Sequence, residues 1–256
     1  MSSESTIVVC AHNEADYIRL CLESLVAQTL RPTLIIVVAD RCTDGTISVA
    51  RDVLNGTNST IIEKKARSWR YSISESLEIA RHRAVGDGLV VVDADMTVPR
   101  NFLERLLPQL TQYASVSAFA RTDPTQGLLN RVVLVWERTY SFAPLGQQPR
   151  GGARAISSKS LEKIGGFRDV QAWDSDIDQR FRVMGFKVKL DRRLVVLHRR
   201  KMTLRRSIHY QIQMGRARRE LKVSLARTVL HALVRLRPFV IYGYLKEVNQ
   251  GGTRDK

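Results

Sequence analysis

Short apolar runs alternate with amphipathic segments through the first half of the chain, and this alternation constrains the fold more than any other feature. The runs at residues 6–10, 34–39, 59–63 and 89–92 are rich in Val and Ile, as buried strands are. Between them, residues 15–28, 44–54 and 71–85 carry apolar side chains at helical spacing. Strands buried on both faces and joined by helices form a parallel sheet covered on each side. We therefore predict an α/β protein with a mostly parallel, Rossmann-like sheet flanked by helices.

The pattern becomes mixed after the fourth strand. Pro99 fits the first turn of a helix, and further helices are predicted over residues 128–142, 176–184 and 220–236. Strands are predicted over residues 115–120, 153–157, 186–190 and 194–198.

Positive charge is concentrated in the last quarter of the 256 residues. Residues 192–256 contain 17 Lys/Arg against 3 Asp/Glu, whereas residues 1–191 contain 24 against 22. Such asymmetry favours an anionic partner for the C-terminal segment: a membrane surface, a phosphorylated substrate or nucleic acid. Nucleic acid is the least favoured partner, because the segment lacks interleaved stacking aromatics.

The predicted helix over residues 220–236 is amphipathic. One face is polar and basic, and the opposite face is made of leucines and a valine. The polar face consists of Ser224, Arg227, Thr228, His231 and Arg235. This pattern allows two arrangements. Residues 203–245 could lie on an anionic membrane, or the apolar stripe could pack on the preceding domain with the arginines in solvent.

Compartment is indicated by the cysteines and by the absence of export signals. Cys10, Cys21 and Cys42 are odd in number, and two of them lie in apolar surroundings, which favours free thiols in a reducing compartment. The first residues do not resemble a signal peptide, and no run of 18 apolar residues is present. We expect a cytoplasmic protein, peripheral on the inner face of the membrane if the basic segment binds lipid.

Polar and acidic residues follow three of the predicted strands. Residues 11–14 follow the first, Asp40 follows the second, and Asp93 and Asp95 follow the fourth. Ligands bind beyond the carboxyl ends of parallel strands, so these side chains are expected at one edge. Two carboxylates separated by one residue suit Mg²⁺ or Mn²⁺ shared with substrate phosphates. A solvated turn is the alternative for that pair, and a helix N-terminal carboxylate is the alternative for Asp40.

A second acidic cluster lies at residues 174–178, directly after Trp173. Helix capping would explain carboxylates at this position. The other explanation is a general base, which needs one carboxylate able to accept a proton from a hydroxyl group.

In these motifs the chain resembles the inverting family 2 glycosyltransferases of the GT-A fold, over about residues 5–200. Residues 7–14 are similar to that family's first strand with its Asn-Glu pair, and residues 35–46 to its second nucleotide-binding strand. The sequence Asp93-Ala94-Asp95 is similar to its DxD motif. Residues 165–167, followed by Asp174, Asp176 and Arg180, are similar to its acceptor-side signature.

The resemblance implies a metal-dependent transfer from a UDP- or GDP-type sugar, with inversion. It implies that Asp174 is the base and that Asp93 and Asp95 hold Mg²⁺ or Mn²⁺ together with the diphosphate. A histidine that some relatives use as a metal ligand corresponds to His198, for which a structural role is the alternative. The donor-phosphate arginine corresponds to Arg121. The implied nucleoside contacts are Cys10, Ala11, His12, Asn13, Glu14, Asp40 and Ala94.

Several residues depart from the family pattern. Cys10 replaces a usual Pro and His12 a common Tyr, which leaves the choice of nucleotide open. Trp173 stands where a Glu usually precedes the base, so Asp176 is the alternative base. The motif of processive synthases is missing, which predicts transfer of a single sugar to an acceptor hydroxyl or phosphate, glycan- or lipid-borne.

The resemblance also divides the chain. We expect a catalytic domain over residues 1–200, with a donor half at 1–121 and an acceptor half at 122–200, and a basic helical extension over 201–256. Two other functions stay open. A nucleotidyltransferase is disfavoured because residues 12–14 are not a glycine-rich phosphate loop. The other is a binding module that acts through the basic segment on membrane or nucleic acid.

Overall fold

Two compact units make up the chain in a computed structural model that describes residues 4–139 and 151–246. The first unit contains residues 4–137 and 151–201, and the second contains residues 138–139 and 202–246.

The first unit is built on one eight-stranded sheet with the order β3-β2-β1-β4-β7-β6-β8-β5. Strands β1 to β4 pair in parallel, β7 is antiparallel to both neighbours, and β6 and β8 are again parallel. The predicted α/β fold is therefore confirmed. The strands are β1 (Ser5–Ala11), β2 (Leu34–Asp40), β3 (Ser59–Lys64), β4 (Gly88–Val92), β5 (Met96–Thr97), β6 (Ser115–Thr122), β7 (Ala153–Ser157) and β8 (Val188–His198).

Helices cover both faces of this sheet. Its helices are α1 (Ile18–Val26), α2 (Thr46–Leu54), α3 (Ser72–Arg81), α4 (Phe102–Leu106), α5 (Leu128–Thr139), α6 (Ser158–Lys163) and α7 (Trp173–Val183). Alternate residues of β1 enter two different cores: Ile7 packs with α1, α2 and α4, and Val8 packs with α3, α6 and α7. This two-sided burial explains why the strands are continuously apolar.

Several predicted boundaries differ from the structure. Helix α1 begins at Ile18, because residues 12–17 form the loop at the strand edge, and α3 ends at Arg81. Pro99 precedes α4 and accepts a turn hydrogen bond from the amide of Phe102. The two strands predicted over 186–198 are one strand, β8, which bulges because Ala118 pairs with Asp191 and the next residue pairs with Val195. The end of the helix predicted over 128–142 lies outside the described residues.

The second unit consists of α8 (Leu204–Glu220), α9 (Leu225–Val234) and α10 (Pro238–Leu245). The continuous helix predicted over 220–236 is wrong: the chain turns at Lys222, whose φ is +54°, and α9 starts after the Ser224 cap. Helices α8 and α10 meet at Gly215 and Gly243. A Cβ atom on either would come within 2.1 Å of a backbone oxygen of the other helix. None of the described helices is both long and apolar enough to cross a bilayer.

Helix α9 and the two residues after it bury polar side chains and expose apolar ones. Thr228 and Arg235 are buried, and Arg218 of α8 donates a hydrogen bond of 3.2 Å to the Thr228 hydroxyl. In contrast, Leu233 is 65% exposed and Leu236 is 77% exposed. Within the second unit, α9 therefore packs on α8 through Thr228 of its polar side.

Candidate functional site

The loops after β1 and β2 have an unusual backbone. Asn13 and Arg41 both have positive φ, +54° and +48°, a conformation that side-chain-bearing residues adopt at a cost of about 1–3 kcal/mol. The Asn13 side-chain oxygen accepts a hydrogen bond of 2.8 Å from the amide of Thr43, which ties the two loops together. Asp44 also joins them, because its carboxylate accepts from the amides of Ala15 and Thr46. The Asp44 carboxylate is thus engaged in hydrogen bonds within the protein.

Asp93 and Asp95 lie together at the end of β4 and ionise very differently. Burial and the neighbouring charge of Asp95 raise the pKa of Asp93 to about 7. Burial acts in the same direction on Asp95, but hydrogen bonds and charges from His198 and Arg200 overcome it and lower its pKa to about 2. At neutral pH one carboxylate is fully charged, while the other is partly protonated and gains from an added cation.

Asp95 is contacted by residues at the end of β8 and directly after it. His198 Nε2 lies 3.1 Å from Asp95 Oδ2, and Arg200 donates a hydrogen bond to the same oxygen. Arg199 points elsewhere and pairs with Asp123 at 2.8 Å. His198 therefore contacts a candidate metal ligand. Within residues 4–139 and 151–246, no three His, Cys, Asp or Glu side chains form a ready-made metal site.

Asp174 lies close to the Asp93–Asp95 pair, because one of two adjacent glycines contacts Asp174 and the other contacts Asp93. The amide of Gly151 donates a 2.9 Å hydrogen bond to Asp174 Oδ2. At Gly152, an added Cβ atom would come within 2.6 Å of Asp93 Oδ2, so a larger residue would have to displace that carboxylate. The charge of Asp174 in turn contributes to the raised pKa of Asp93. The role of this glycine pair was not predicted from the sequence, although two consecutive glycines before a strand are a visible signal.

Asp176, the alternative base, has a different environment. It pairs with Arg180 at 2.6 Å, and Arg180 also donates to the carbonyl of Ile164. This arrangement is an internal brace between α7 and the turn after α6. Helix α7 begins at Trp173, three residues earlier than predicted, so Asp174 lies in the first helical turn.

Asp40 is buried and surrounded by polar protein groups. Burial alone would raise its pKa, but Arg41, Ser72 and Lys64 together lower it. Lys64, which ends β3, lies 3.2 Å from Asp40 and 2.8 Å from Glu75. A ligand that bonds to Asp40 must therefore share it with these groups. Lys64 could have been found from the sequence by examining the end of the third strand as well.

The remaining nucleoside-contact candidates divide between surface and core. Cys10 lies near the end of β1, where burial and the neighbouring carboxylates of Asp93 and Asp40 raise the pKa of its thiol. His12 is exposed, and its Nδ1 donates to the Asp40 carbonyl at 2.6 Å, which leaves Nε2 as an acceptor toward a ligand. The side chains of Ala11 and Ala94 are in the hydrophobic core.

Two further candidates differ in their link to the acidic pair. Glu14 accepts a 2.5 Å hydrogen bond from Arg200, the arginine that also contacts Asp95. Arg121 is exposed at the end of β6, with its guanidinium 5.5 Å from the Phe119 ring centroid. Among the described contacts, none joins Arg121 to the acidic pair.

Comparison with protein families identifies the chain. The sequence pattern of the family described as Glycosyl transferase family 2 matches residues 6–163, which include the loops after β1 and β2 and the Asp93–Asp95 pair. The chain belongs to glycosyltransferase family 2. The resemblance inferred from the motifs is therefore confirmed.

Solved structures with the same fold include other glycosyltransferases. A mannosyltransferase from Pyrobaculum calidifontis, in complex with GDP-Man and Mn²⁺, is 22% identical with a TM-score of 0.66, over 94% of this chain and 70% of that one. Glucosyl-3-phosphoglycerate synthase from Mycobacterium tuberculosis, in complex with Mg²⁺ and UDP, is 19% identical with a TM-score of 0.59, over 83% of this chain and 77% of that one. At these identities the likeness establishes the shared GT-A fold.

A curated relative supports the family through part of the chain. Glycosyltransferase GlyA of Streptococcus pneumoniae serotype 4 is 22% identical over 108 residues, or 42% of this family 2 chain. The chain covers only 15% of that relative's length.

Proposed function

We propose that this family 2 chain transfers one sugar from a nucleotide-diphosphate sugar to an acceptor hydroxyl or phosphate group, with inversion. The observation that carries the proposal is the Gly151–Gly152 step, which brings Asp174 and Asp93 together. Transfer by single displacement needs a base on one side of the sugar. On the other side it needs a group that stabilises the negative charge of the leaving diphosphate. Residues 1–200 form the catalytic domain in this proposal, and residues 201–256 form a basic helical extension.

The chemistry assigned to the protein groups is a proton transfer and a displacement. Asp174 accepts the proton of the acceptor hydroxyl as its oxygen attacks the anomeric carbon. The bond from that carbon to the diphosphate breaks, and its electron pair leaves with the nucleotide. Asp174 accepts two backbone hydrogen bonds, from Gly151 and Ser175, which hold its carboxylate in one orientation.

The residues present fit a divalent cation shared with the substrate. Mg²⁺ and Mn²⁺ are commonly held by one or two carboxylates plus phosphate and water oxygens, and Asp93 and Asp95 provide that set. Such a cation would stabilise the charge that develops on the leaving diphosphate. The structures of the two relatives contain Mn²⁺ with GDP-Man and Mg²⁺ with UDP, which supports a UDP- or GDP-type donor. His198 is proposed as an additional ligand.

Removal of one carboxylate tests the donor site. We expect GDP or UDP with Mn²⁺ to raise the melting temperature by several degrees, because a ligand at about 100 times its Kd adds about 2.7 kcal/mol. Asp95→Asn should abolish the metal-dependent part of this shift, whereas Asp52→Asn, an exposed carboxylate on α2, should not. An equal metal-dependent shift in both variants would contradict the assignment.

The reaction product separates the two enzyme classes. Incubation with UDP- and GDP-sugars, Mn²⁺ and a panel of glycoside and polyprenyl-phosphate acceptors should release nucleoside diphosphate. Release of pyrophosphate would instead indicate a nucleotidyltransferase.

The second unit has features of a membrane-binding surface. Helices α9 and α10 and the residues between them expose apolar side chains within a strongly basic segment. The exposed set is Leu225, Leu230, Leu233, Val234, Leu236, Phe239, Tyr242 and Leu245. Residues 192–256 also carry a net charge of +14. Apolar side chains that enter the interface, together with basic side chains that attract anionic headgroups, are the features of peripheral membrane helices. We propose that this face rests on an anionic bilayer and that the acceptor is lipid-borne.

Substitution of two exposed leucines tests membrane binding. We expect Leu233→Glu/Leu236→Glu to weaken sedimentation with phosphatidylglycerol-containing vesicles at least tenfold, because each buried leucine is worth about 1.5–3 kcal/mol. The matched control is Val183→Glu/Met184→Glu, an exposed apolar pair in the first unit, which should bind as the wild type does. Pure phosphatidylcholine vesicles should bind weakly. Equal binding by the two double variants would exclude this face.

A further inference from the structure

Arg200 joins the ends of three strands at the candidate donor site. Its Nε donates to Asp95, which follows β4, and its Nη2 donates at 2.5 Å to Glu14, which follows β1. The guanidinium also lies 5.1 Å from the centroid of the Tyr17 ring. One planar cation therefore pairs two carboxylates and stacks on an aromatic face, a combination that arginine makes better than lysine.

The position of Arg200 conflicts with cation binding at Asp95. Arg200 and His198 both contact Oδ2 of Asp95, so a metal ion at this carboxylate would have to share that oxygen or bind through the other oxygen, close to the guanidinium. Burial opposes the charge on Arg200, but Asp95 and Glu14 outweigh it and raise the pKa of the guanidinium. Arg200 is therefore a permanent cation held against the acidic pair. A second cation at the same oxygen would meet repulsion at close range.

The main chain around Arg200 is fixed, although its side chain has room to move. The neighbouring Arg199 bonds to Asp123 at 2.8 Å and to Thr97 at 2.9 Å, and Asn130 donates to the Arg200 carbonyl at 3.1 Å. The Arg200 side chain itself keeps 26% of its surface exposed. A rotation about its side-chain bonds can thus release Asp95 without moving β8.

We propose that Arg200 is the internal counter-ion of the donor site, and that it leaves Asp95 when a divalent cation arrives together with a nucleoside diphosphate. This inference rests on the proposed function for the position of the cation at Asp93 and Asp95. The diphosphate brings negative charge, which offers the displaced guanidinium a new partner. A cation that arrives without the diphosphate offers the guanidinium no new partner, so it must compete with Arg200 for Asp95. Cation and nucleotide should therefore bind cooperatively, each strengthening the binding of the other.

Mn²⁺ binding without nucleotide tests the inference directly. Titrations followed by the electron paramagnetic resonance of free Mn²⁺ need no turnover. We expect Arg200→Gln to bind Mn²⁺ alone at least tenfold more tightly than the wild type, and to bind Mn²⁺ with GDP or UDP less tightly. Lys201→Gln removes the same charge from the adjacent exposed side chain and should leave Mn²⁺ affinity unchanged.

The possible failures are distinguishable. If Arg200→Gln and the wild type bind Mn²⁺ alone equally well, while nucleotide still promotes Mn²⁺ binding, the counter-ion role is wrong and the proposed donor site stands. If Lys201→Gln strengthens Mn²⁺ binding as much as Arg200→Gln does, the effect is general electrostatics and the inference is overturned. If neither the wild type nor either variant binds Mn²⁺, even with GDP or UDP present, both the proposed metal site and the counter-ion role of Arg200 are wrong.

Discussion

Replacement of Asp174 by Asn should reduce the turnover number by about 10²–10⁴-fold, the range that a positioned general base contributes. Asn keeps one oxygen to accept the hydrogen bond from Gly151, so the geometry of the glycine step should survive, although the bond from the Ser175 amide is lost. It removes the ability to accept a proton. Affinity for Mn²⁺ with GDP or UDP should change by less than about threefold, because Asp174 is not a proposed ligand of the cation or the nucleotide. The measurements are nucleoside diphosphate release and nucleotide titration.

Asp176→Asn is the matched control, two residues away on the same helix. Asp176 pairs with Arg180 and the pair braces α7, so its loss should lower the melting temperature but leave turnover within about tenfold of the wild type at a temperature where both are folded. If Asp176→Asn instead showed the larger loss of turnover while Asp174→Asn stayed active, the base would have to be reassigned to Asp176.

The fold could be predicted because its main determinants are local. Each of β1, β2 and β4 is a continuous apolar run, and burial on both faces leaves no other pattern for such a strand. The second unit could not be predicted in the same way. The sequence of α9 is amphipathic, but periodicity alone cannot tell which face packs, and Arg218 of α8 recruits the polar one. Its start was also misplaced, because the turn at Lys222 carries no glycine or proline.

Only the part of the candidate site that lies at strand ends could be predicted from the sequence. Asp40 ends a buried strand and Asp93 and Asp95 follow another, so their sequence neighbours alone indicated a shared edge. The contacts of Asp174 and Arg200 depend on residues more than 20 positions away, such as Gly151 and Glu14. No local pattern reports such pairs, and they became visible only when β7 and β8 were placed in the sheet.

A buried ion pair under α7 has the largest predicted effect on stability. Arg154 of β7 is fully buried, and its Nη2 lies 3.0 Å from Asp178 of α7. Its Nη1 donates at 3.2 Å to the carbonyl of Asp174, and its guanidinium lies over the Trp173 ring. Burial raises the pKa of Asp178 despite the nearby arginine charge. Arg154 Nε and Asp178 Oδ1 have no hydrogen-bond partner within the described chain, so the pair is incompletely compensated.

Arg154→Met should destabilise the protein by about 3–5 kcal/mol, because it leaves the Asp178 carboxylate buried without its partner. For a chain of this size that corresponds to a fall in melting temperature of roughly 10 °C. Arg154→Met/Asp178→Leu removes both charges and should recover most of the loss, since apolar replacement of a buried pair is often neutral. A double variant no more stable than Arg154→Met would show that the arginine acts through its other contacts.

Activity of the double variant separates stability from positioning. With Asp178 also replaced, no buried charge is left unpaired, but the Asp174 carbonyl still lacks its donor. We expect a folded protein whose turnover number is about tenfold lower, with unchanged affinity for Mn²⁺ and nucleotide, because only the orientation of the base is relaxed. Full recovery of turnover together with stability would instead limit Arg154 to a structural role, and the position of Asp174 would then depend on Gly151 and Ser175 alone.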